Sequence, residues 1–485
     1  MLLGLDVGTT AVKALLVDHE KGESHISKRS LDLVFPGEDM VEQNPMGIWT
    51  AAVEAIGDVV RRAGTSDVES ISVSSQGGTL VPLDQAGRPV GNAIVWMDHR
   101  ARGQAEELVA KYGSDFTFYK TGWRATGCLP MLSMVWLAEE RPATLRKMAK
   151  FAFVGDYVTR MLCGRWATDP TSAGMTMLYN VREGKWDTDL LGIAGVDEEG
   201  LPEILPSGAP LGHVTASAAS EMGLGDPPLV VNGGHDQYCA SLGSGAIEEG
   251  DLLISGGTAW VLLMTTGGGL FDASSYLSPG RHLMDGTWGL MTSIPAAGAG
   301  LQWLTRNSGS ADLGEMEAGA KGVPPGSDGL FFMPYFLGST VPGWDTSMRG
   351  AVLGLGLKHS RDHLFRAYME GVGYEVLSQS RVYAGLGLEI ESVRMIGGAS
   401  RSPNWPGIIS DLLDLPVSIP GNQEAAALGA AIIAGVGYGS FGDWVEGVDR
   451  AVVNRRVIEP DEKRKSVYGE LFEGFMRVFD ALPGQ

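Results

Sequence analysis

The sequence predicts an α/β protein whose central unit occurs twice. Three observations predict this. The chain has 485 residues, too many for one ordinary domain. Apolar strand-like runs alternate with segments of helical period. A strand, a Gly/Thr turn and a returning strand occur near the start of each half. In the first half these are Leu2 to Val7, Gly8-Thr9-Thr10 and Ala11 to Val17; in the second, Asp251 to Ser255, Gly256-Gly257-Thr258 and Ala259 to Met264.

The intervening elements follow from pattern. Pro45 to Ala63 has helical periodicity, and Val68 to Ser74 and Thr79 to Asp84 read as strands flanking Gln76-Gly77-Gly78. Met131 to Glu140 and Ala143 to Leu162 read as helices. Leu229 to Asn232 is a strand ending on Gly233-Gly234-His235-Asp236. Further on, His363 to Gly385 is a long helix, Ser392 to Ile396 a strand running into Gly397-Gly398-Ala399, and Glu424 to Ala434 an Ala-rich helix. The tail after Val457 is helical and amphipathic, suited to packing back on the body. The charged turn Glu248-Glu249-Gly250 divides the chain into expected domains 1–247 and 248–485.

Composition narrows the function. Hydrophobic residues make up 44% and charged residues 20%, as in a globular chain with sizeable cores. A net charge of −21 disfavours nucleic acid and anionic lipid. Cys128, Cys163 and Cys239 are widely spaced, which argues against a disulfide framework or structural zinc and suits a reducing cytoplasm. No basic n-region precedes the first apolar run, so no signal peptide is expected. The uncharged stretch from Ala425 to Tyr438 is too short and Gly-rich to span a membrane.

The candidate chemistry lies at the turns. Backbone N–H groups and Thr hydroxyls in the two Gly/Thr turns can cradle phosphate oxygens. Asp6, two residues before the first turn, can hold a divalent cation, and Lys13 can reach a phosphate. Each turn alone reads better as a plain hairpin; their duplication favours two phosphate loops across a cleft. Asp236 follows a strand at its C-terminal end, where α/β ligands gather, and is the candidate base. The competing reading makes it the cap of a helix from Gln237 to Leu242. His235 reads as a packed neighbour.

Taken in order, GLDVGTTAVKALLVD, the GGHDQ segment, the SGGT turn, GAVLGLGLKHSRDHLFRAYMEG, and GGASRSPNWPGIISDLLDLPV followed by EAAALGAAIIAG resemble the FGGY carbohydrate kinase family, nearest its xylulokinase-type members. The resemblance runs from about Leu2 to Gly439. It implies two ribonuclease-H-like domains, the actin-like ATPase fold, around a central cleft, with sugar on the first domain and ATP on the second. It implies ATP and Mg²⁺ as cofactors, with Asp6 and Asp236 at the metal and Asp236 as catalytic base. Thr9, Thr10, Lys13, Gly257 and Thr258 then meet phosphate, while Gly298, Gln302, Gly397, Gly398, Ala399, Ser402 and Asn404 lie on the nucleotide side. Gln76, Gly77, Gly78, Trp96, Asp98, Arg100, Asp236 and Gln237 lie on the substrate side. For Trp96 alone, ordinary core packing is the favoured reading.

The departures fall on the substrate side. Xylulokinases usually read Gln-Met-His at Gln76-Gly77-Gly78 and glycerol kinases Gln-Arg-Glu. Ser133 stands for a usual Lys, with Cys128 five residues before it, and Ser339-Thr340, within Met333–Gly350, stand for Glu-Arg. The two glycines suggest a roomier pocket or a different substrate. The expected activity is phosphorylation of a small ketose such as xylulose or a related pentulose. The alternatives are a polyol or other sugar of glycerol, erythritol, ribulose or gluconate type, or a non-catalytic actin-like ATP-binding protein. An acyl kinase or hydrolase on the same fold is disfavoured by the Trp96/Asp98/Arg100 and Ser402 to Leu415 matches. The expected partner is a small sugar or polyol, without nucleic acid or membrane, and a homodimer is a candidate assembly.

Overall fold

The computed structural model describes residues 1–309, 312–341, 343, 345 and 347–481. Pro342, Trp344 and Thr346 of the Met333–Gly350 segment lie outside them, as do the last four residues of the tail. Two mixed sheets form the frame. The first has six strands, in the order Pro210–His213, Leu229–His235, Ser70–Ser75, Leu2–Val7, Ala11–Asp18 and Glu23–Ser30. The second has seven: Ser278–Arg281, Trp288–Ile294, Trp260–Thr266, Asp251–Gly256, Ser392–Ile396, Val417–Pro420 and Asn454–Ile458. A five-stranded sheet stands beside the first and carries Met40–Gln43, Ala93–Ile94 and Lys150–Phe153.

The repeat read from sequence is present in the pairing. Leu2–Val7 pairs antiparallel with Ala11–Asp18 and parallel with Ser70–Ser75. Asp251–Gly256 pairs antiparallel with Trp260–Thr266 and parallel with Ser392–Ile396. All six residues of Leu2–Val7 are buried, as their unbroken apolar run requires of a strand covered on both faces. The Pro45–Ala63 helix begins on the Asn44 cap and ends on left-handed Gly64.

One expectation fails. Ala143 to Leu162 is not one helix: Lys150–Phe153 is a strand paired antiparallel with Leu80–Leu83, and a helix resumes at Val154–Cys163. The run Phe151-Ala152-Phe153 is apolar whichever way it is read, so its period is ambiguous, and an available sheet edge decides it. Elsewhere the strand before the candidate base is longer than expected, running through both glycines to His235. The tail forms the Glu462–Ala481 helix and buries Tyr468, Phe472 and Phe475.

The two sheets are joined by a pair of helices, Asp236–Ser244 and Ala425–Tyr438. A Cβ on Gly243 would lie 1.9 Å from the Ala425 carbonyl oxygen, and one on Gly429 would lie 1.9 Å from that of Cys239. The helices therefore cross in opposite directions with bare backbone between them. The second helix lies equally close on the first sheet, since a Cβ on Gly4 would meet the Ala427 carbonyl oxygen at 1.9 Å. Leu2, Leu15 and Val231 from the first sheet, Leu253 and Ile396 from the second, and Cys239, Leu242, Leu428 and Ile432 from the helices share one apolar core. The alanine-rich composition of residues 425–434 is thus a packing requirement.

Gly429→Ala forces this crossing apart and is expected to cost about 1–3 kcal/mol or more, the range of buried overpacking. Urea unfolding of the variant checks it; a midpoint equal to that of the unmodified chain contradicts the close crossing.

Candidate active site

The first Gly/Thr turn is built into a closed polar circuit. Trp96 Nε1–H donates to Thr9 Oγ1 at 2.9 Å, and Thr9 Oγ1–H donates to Gln76 Oε1 at 2.7 Å. Gln76 Nε2–H donates to Gln43 Oε1 at 2.8 Å, and Gln43 Nε2–H returns to the Thr9 carbonyl at 2.6 Å. The circuit fixes the turn against the substrate-side residues. Thr10 at its tip is exposed.

Behind the turn, Lys13 lies between two carboxylates, 3.3 Å from Asp6 and 2.7 Å from Glu424. Burial works against its charge, but Asp6 and Glu424 together hold its pKa above the ordinary lysine value. Asp6 is 5% exposed, and burial lifts its pKa to about 6 against the pull of Lys13, with the charge of Asp236 adding to the rise. Glu424 immediately precedes the Ala425–Tyr438 helix, so this ion pair spans from the first hairpin to the last third of the chain. Sequence reasoning missed Glu424. A single carboxylate opening an otherwise apolar helix is the signal that could have found it.

Asp236 is the first residue of its helix, and His235 occupies the cap position without a side-chain cap bond. The capping reading of Asp236 therefore lacks a capping geometry. Burial raises its carboxyl to about 6, partly offset by hydrogen bonds from Gln237 and by Lys13. Gln237 Nε2–H donates to Asp236 Oδ1 at 3.2 Å, and Gln237 Oε1 is buried without a partner.

The second Gly/Thr turn is held by two other loops. Gly298 N–H and Ala299 N–H both donate to the Thr258 carbonyl at 3.0 Å, and a Cβ on Gly298 would meet the Gly257 carbonyl oxygen at 2.1 Å. Gly397 has φ 81° and rests on Gly256, whose carbonyl oxygen a Cβ there would meet at 2.7 Å. The glycines at 256–257, 298 and 397–398 thus converge, with Gly257, Thr258 and Gly398 left exposed. Gln302 is exposed on the Ala297–Asn307 helix. Ser402 and Asn404 face inward. Ser402 Oγ accepts the N–H groups of Asn404 and Trp405, and Asn404 Nδ2 donates to Glu317. They brace the loop after Ala399 instead of presenting free polar groups.

On the substrate side the structure separates residues that the resemblance grouped. Trp96 is 41% exposed, but Asp98 is fully buried. Asp98 accepts the Val41 N–H and both N–H groups of a bidentate Arg100, and Arg100 also reaches Glu42 at 2.8 Å. Asp98 and Arg100 form a brace that ties the Trp96 turn to the Met40–Gln43 strand. Gln76 is 3% exposed and spent in the circuit above. The expected roomier pocket at Gly77 is absent: a Cβ there would lie 2.5 Å from His235 Cδ2 and 2.7 Å from Met175 Cγ. Gly78 has φ 68°, a backbone that favours glycine. Ser133 and Ser339 are buried, and Thr340 donates to the Ser293 carbonyl at 2.5 Å.

The fold and site define a class: two linked α/β halves, each with a Gly/Thr turn, and a lysine set between the carboxylates of Asp6 and Glu424. Known proteins agree. The model of the FGGY family of carbohydrate kinases, N-terminal domain, matches residues 1–243, and that of the C-terminal domain matches residues 252–438. The chain belongs to the FGGY family of carbohydrate kinases, which are phosphotransferases. It is 27% identical over 481 residues to the xylulose kinase of Bacillus subtilis, covering 99% of this chain and 96% of that one. It is 31% identical over 485 residues to the glycerol kinase of Bacillus velezensis, covering 96% and 97%. The crystal structure of xylulose kinase from Rhodospirillum rubrum superposes with a TM-score of 0.90 at 28% identity, covering 99% and 98%. Among the described residues no helix is long and apolar enough to cross a membrane.

Gly298→Ala is expected to push the second turn out of shape, raising the KM for nucleotide about tenfold and costing about 1–3 kcal/mol of stability. Steady-state kinetics with varied nucleotide check this. An unaltered KM would show that the turn carries no phosphate.

Proposed function

We propose that this chain transfers the γ-phosphate of ATP to a hydroxyl of a small ketose, with xylulose or a related pentulose first and a polyol such as glycerol second. The observation that carries the reading is the grouping of Asp236 with Asp6, Lys13 and Glu424, charged residues from both halves of the chain, behind the first Gly/Thr turn. The order of acceptors rests on similarity to xylulose and glycerol kinases alike. The proposed domains are 1–247, with acceptor and base, and 248–485, with nucleotide. The cytoplasm is the proposed compartment.

The roles follow from the geometry. Phosphoryl transfer demands position and charge more than covalent chemistry. Thr10, Gly257 and Thr258 have exposed turn positions that suit phosphate oxygens, and Lys13, on the strand after the first turn, supplies a positive charge held by Asp6 and Glu424. Asp236 accepts the proton of the acceptor hydroxyl. A carboxyl lifted to about 6 is still largely ionised at neutral pH and more basic than an exposed aspartate. Trp96 offers its face to the carbon skeleton.

The donor set also fits a divalent cation. Asp6 and Asp236 are two carboxylates close enough that the charge of one raises the pKa of the other. Among the described residues no three His, Cys, Asp or Glu side chains converge, which suits a hydrated hard cation rather than a zinc cage. Asp6 would hold Mg²⁺, with Asp236 beside it, and the ion would offset phosphate charge. The base and the nucleotide loops stand on different halves, so the halves are proposed to close on the bound ligands.

Incubation with ATP, Mg²⁺ and a panel of ketoses and polyols tests the reading: acceptor-dependent ADP release supports it, and ADP release with none of them overturns it. Asp236→Asn keeps size and removes the proton acceptor. It is expected to lower kcat by about 10²–10⁴-fold while nucleotide and acceptor still bind. A variant that keeps more than about a tenth of the turnover would remove Asp236 from the role of base.

A further inference from the structure

Three of the polar side chains assigned to the acceptor by resemblance, Gln76, Asp98 and Arg100, are already spent. Gln76 is held by Thr9 and Gln43, Asp98 by Arg100 and Val41, and Arg100 by Asp98 and Glu42. The unsatisfied polar atoms beside the base belong instead to its two chain neighbours. His235 Nδ1 and Gln237 Oε1 are both buried without a partner. His235 Nε2 lies 3.2 Å from Asp236 Oδ1.

The same imidazole fills the space that a side chain at residue 77 would enter. A Cβ on Gly77 would lie 2.5 Å from His235 Cδ2 and 2.7 Å from both His235 Nε2 and Met175 Cγ. The ring cannot easily withdraw. Its backbone N–H donates to Thr171 Oγ1 at 2.8 Å, and it packs on Tyr238 with ring centroids 5.8 Å apart. A neutral imidazole carries one donor and one acceptor nitrogen.

We infer that His235 is a specificity-determining residue of the acceptor site, taking with Met175 the place of the side chain missing at Gly77 and presenting Nε2 next to the oxygen of Asp236. This rests on the kinase reading above. An acceptor hydroxyl aimed at Asp236 brings the oxygen on its neighbouring carbon toward Nε2. The acceptor class favoured is therefore one with vicinal oxygens at the phosphorylated end, a 1,2-diol or an α-hydroxy ketone.

Four proteins test it: His235→Ala, His235→Gln, Gly77→Ala, and the Gly77→Ala, His235→Ala pair. Each is assayed with xylulose, ribulose, glycerol and 1,3-propanediol, the last lacking the vicinal oxygen, at saturating ATP, and with ATP varied. His235→Ala is expected to change the ratio of kcat/KM between the best vicinal acceptor and 1,3-propanediol about tenfold or more, because a lost polar reader penalises only acceptors that carry the oxygen it reads. The KM for ATP stays within about twofold of the unmodified value. His235→Gln, which keeps a polar group of similar reach, moves the ratio less. Gly77→Ala alone loses most activity, and the pair recovers it. A purely structural histidine would lower all acceptors in proportion. Unchanged ratios in both His235 variants, or a fully active Gly77→Ala, overturn the inference. An unmodified chain that phosphorylates none of the four overturns the kinase reading instead. In that event the melting temperatures of the same proteins still decide the contact, since strictly additive shifts would show that residues 77 and 235 do not share space.

Discussion

The Asp236–Ser244 and Ala425–Tyr438 helices cross on bare backbone at Gly243 and Gly429, and the rest of the molecule is arranged around that crossing. One helix begins with Asp236, and the other begins just after Glu424, the partner of Lys13. The second helix also lies flat on Gly4 of the first sheet, although its sequence neighbours build the second. Any side chain at these glycines would separate the sheets by a distance that close-packed interiors do not absorb. The same contact therefore sets the spacing of the halves and the position of two charged groups, Asp236 and Glu424.

Much of this frame was legible in the sequence because it rests on repetition and on glycine. Two strand–Gly/Thr–strand units at corresponding positions give two sheets with the same local pairing. Helical periodicity placed the Pro45–Ala63 helix to the residue. What was illegible depended on partners distant in sequence. The Lys150–Phe153 strand exists because Leu80–Leu83 offers it an edge, and no local pattern says so. Glu424 acquires a role only through Lys13, more than four hundred residues earlier.

The substrate side shows the limit most clearly. Reading Gly77 and Gly78 as missing side chains suggested open space, since a sequence records what a position lacks and not what moves in. His235 and Met175 fill the volume at Gly77. Likewise the Trp96, Asp98 and Arg100 triplet looked like three ligand contacts. Only Trp96 is turned outward, and the buried Asp98–Arg100 pair supplies the rigidity that holds it. A buried bidentate pair costs desolvation, which its fixed geometry and further hydrogen bonds to Val41 and Glu42 offset.

The two halves already share the glycine crossing and the Lys13–Glu424 pair, and the proposed closure draws them nearer only when both ligands are bound. Small-angle X-ray scattering tests that directly, with the chain alone, with a non-hydrolysable ATP analogue and Mg²⁺, and with these plus an accepted sugar. The account predicts a smaller radius of gyration only in the complete mixture. Superimposable profiles in all three conditions, at concentrations that saturate both sites, would contradict it.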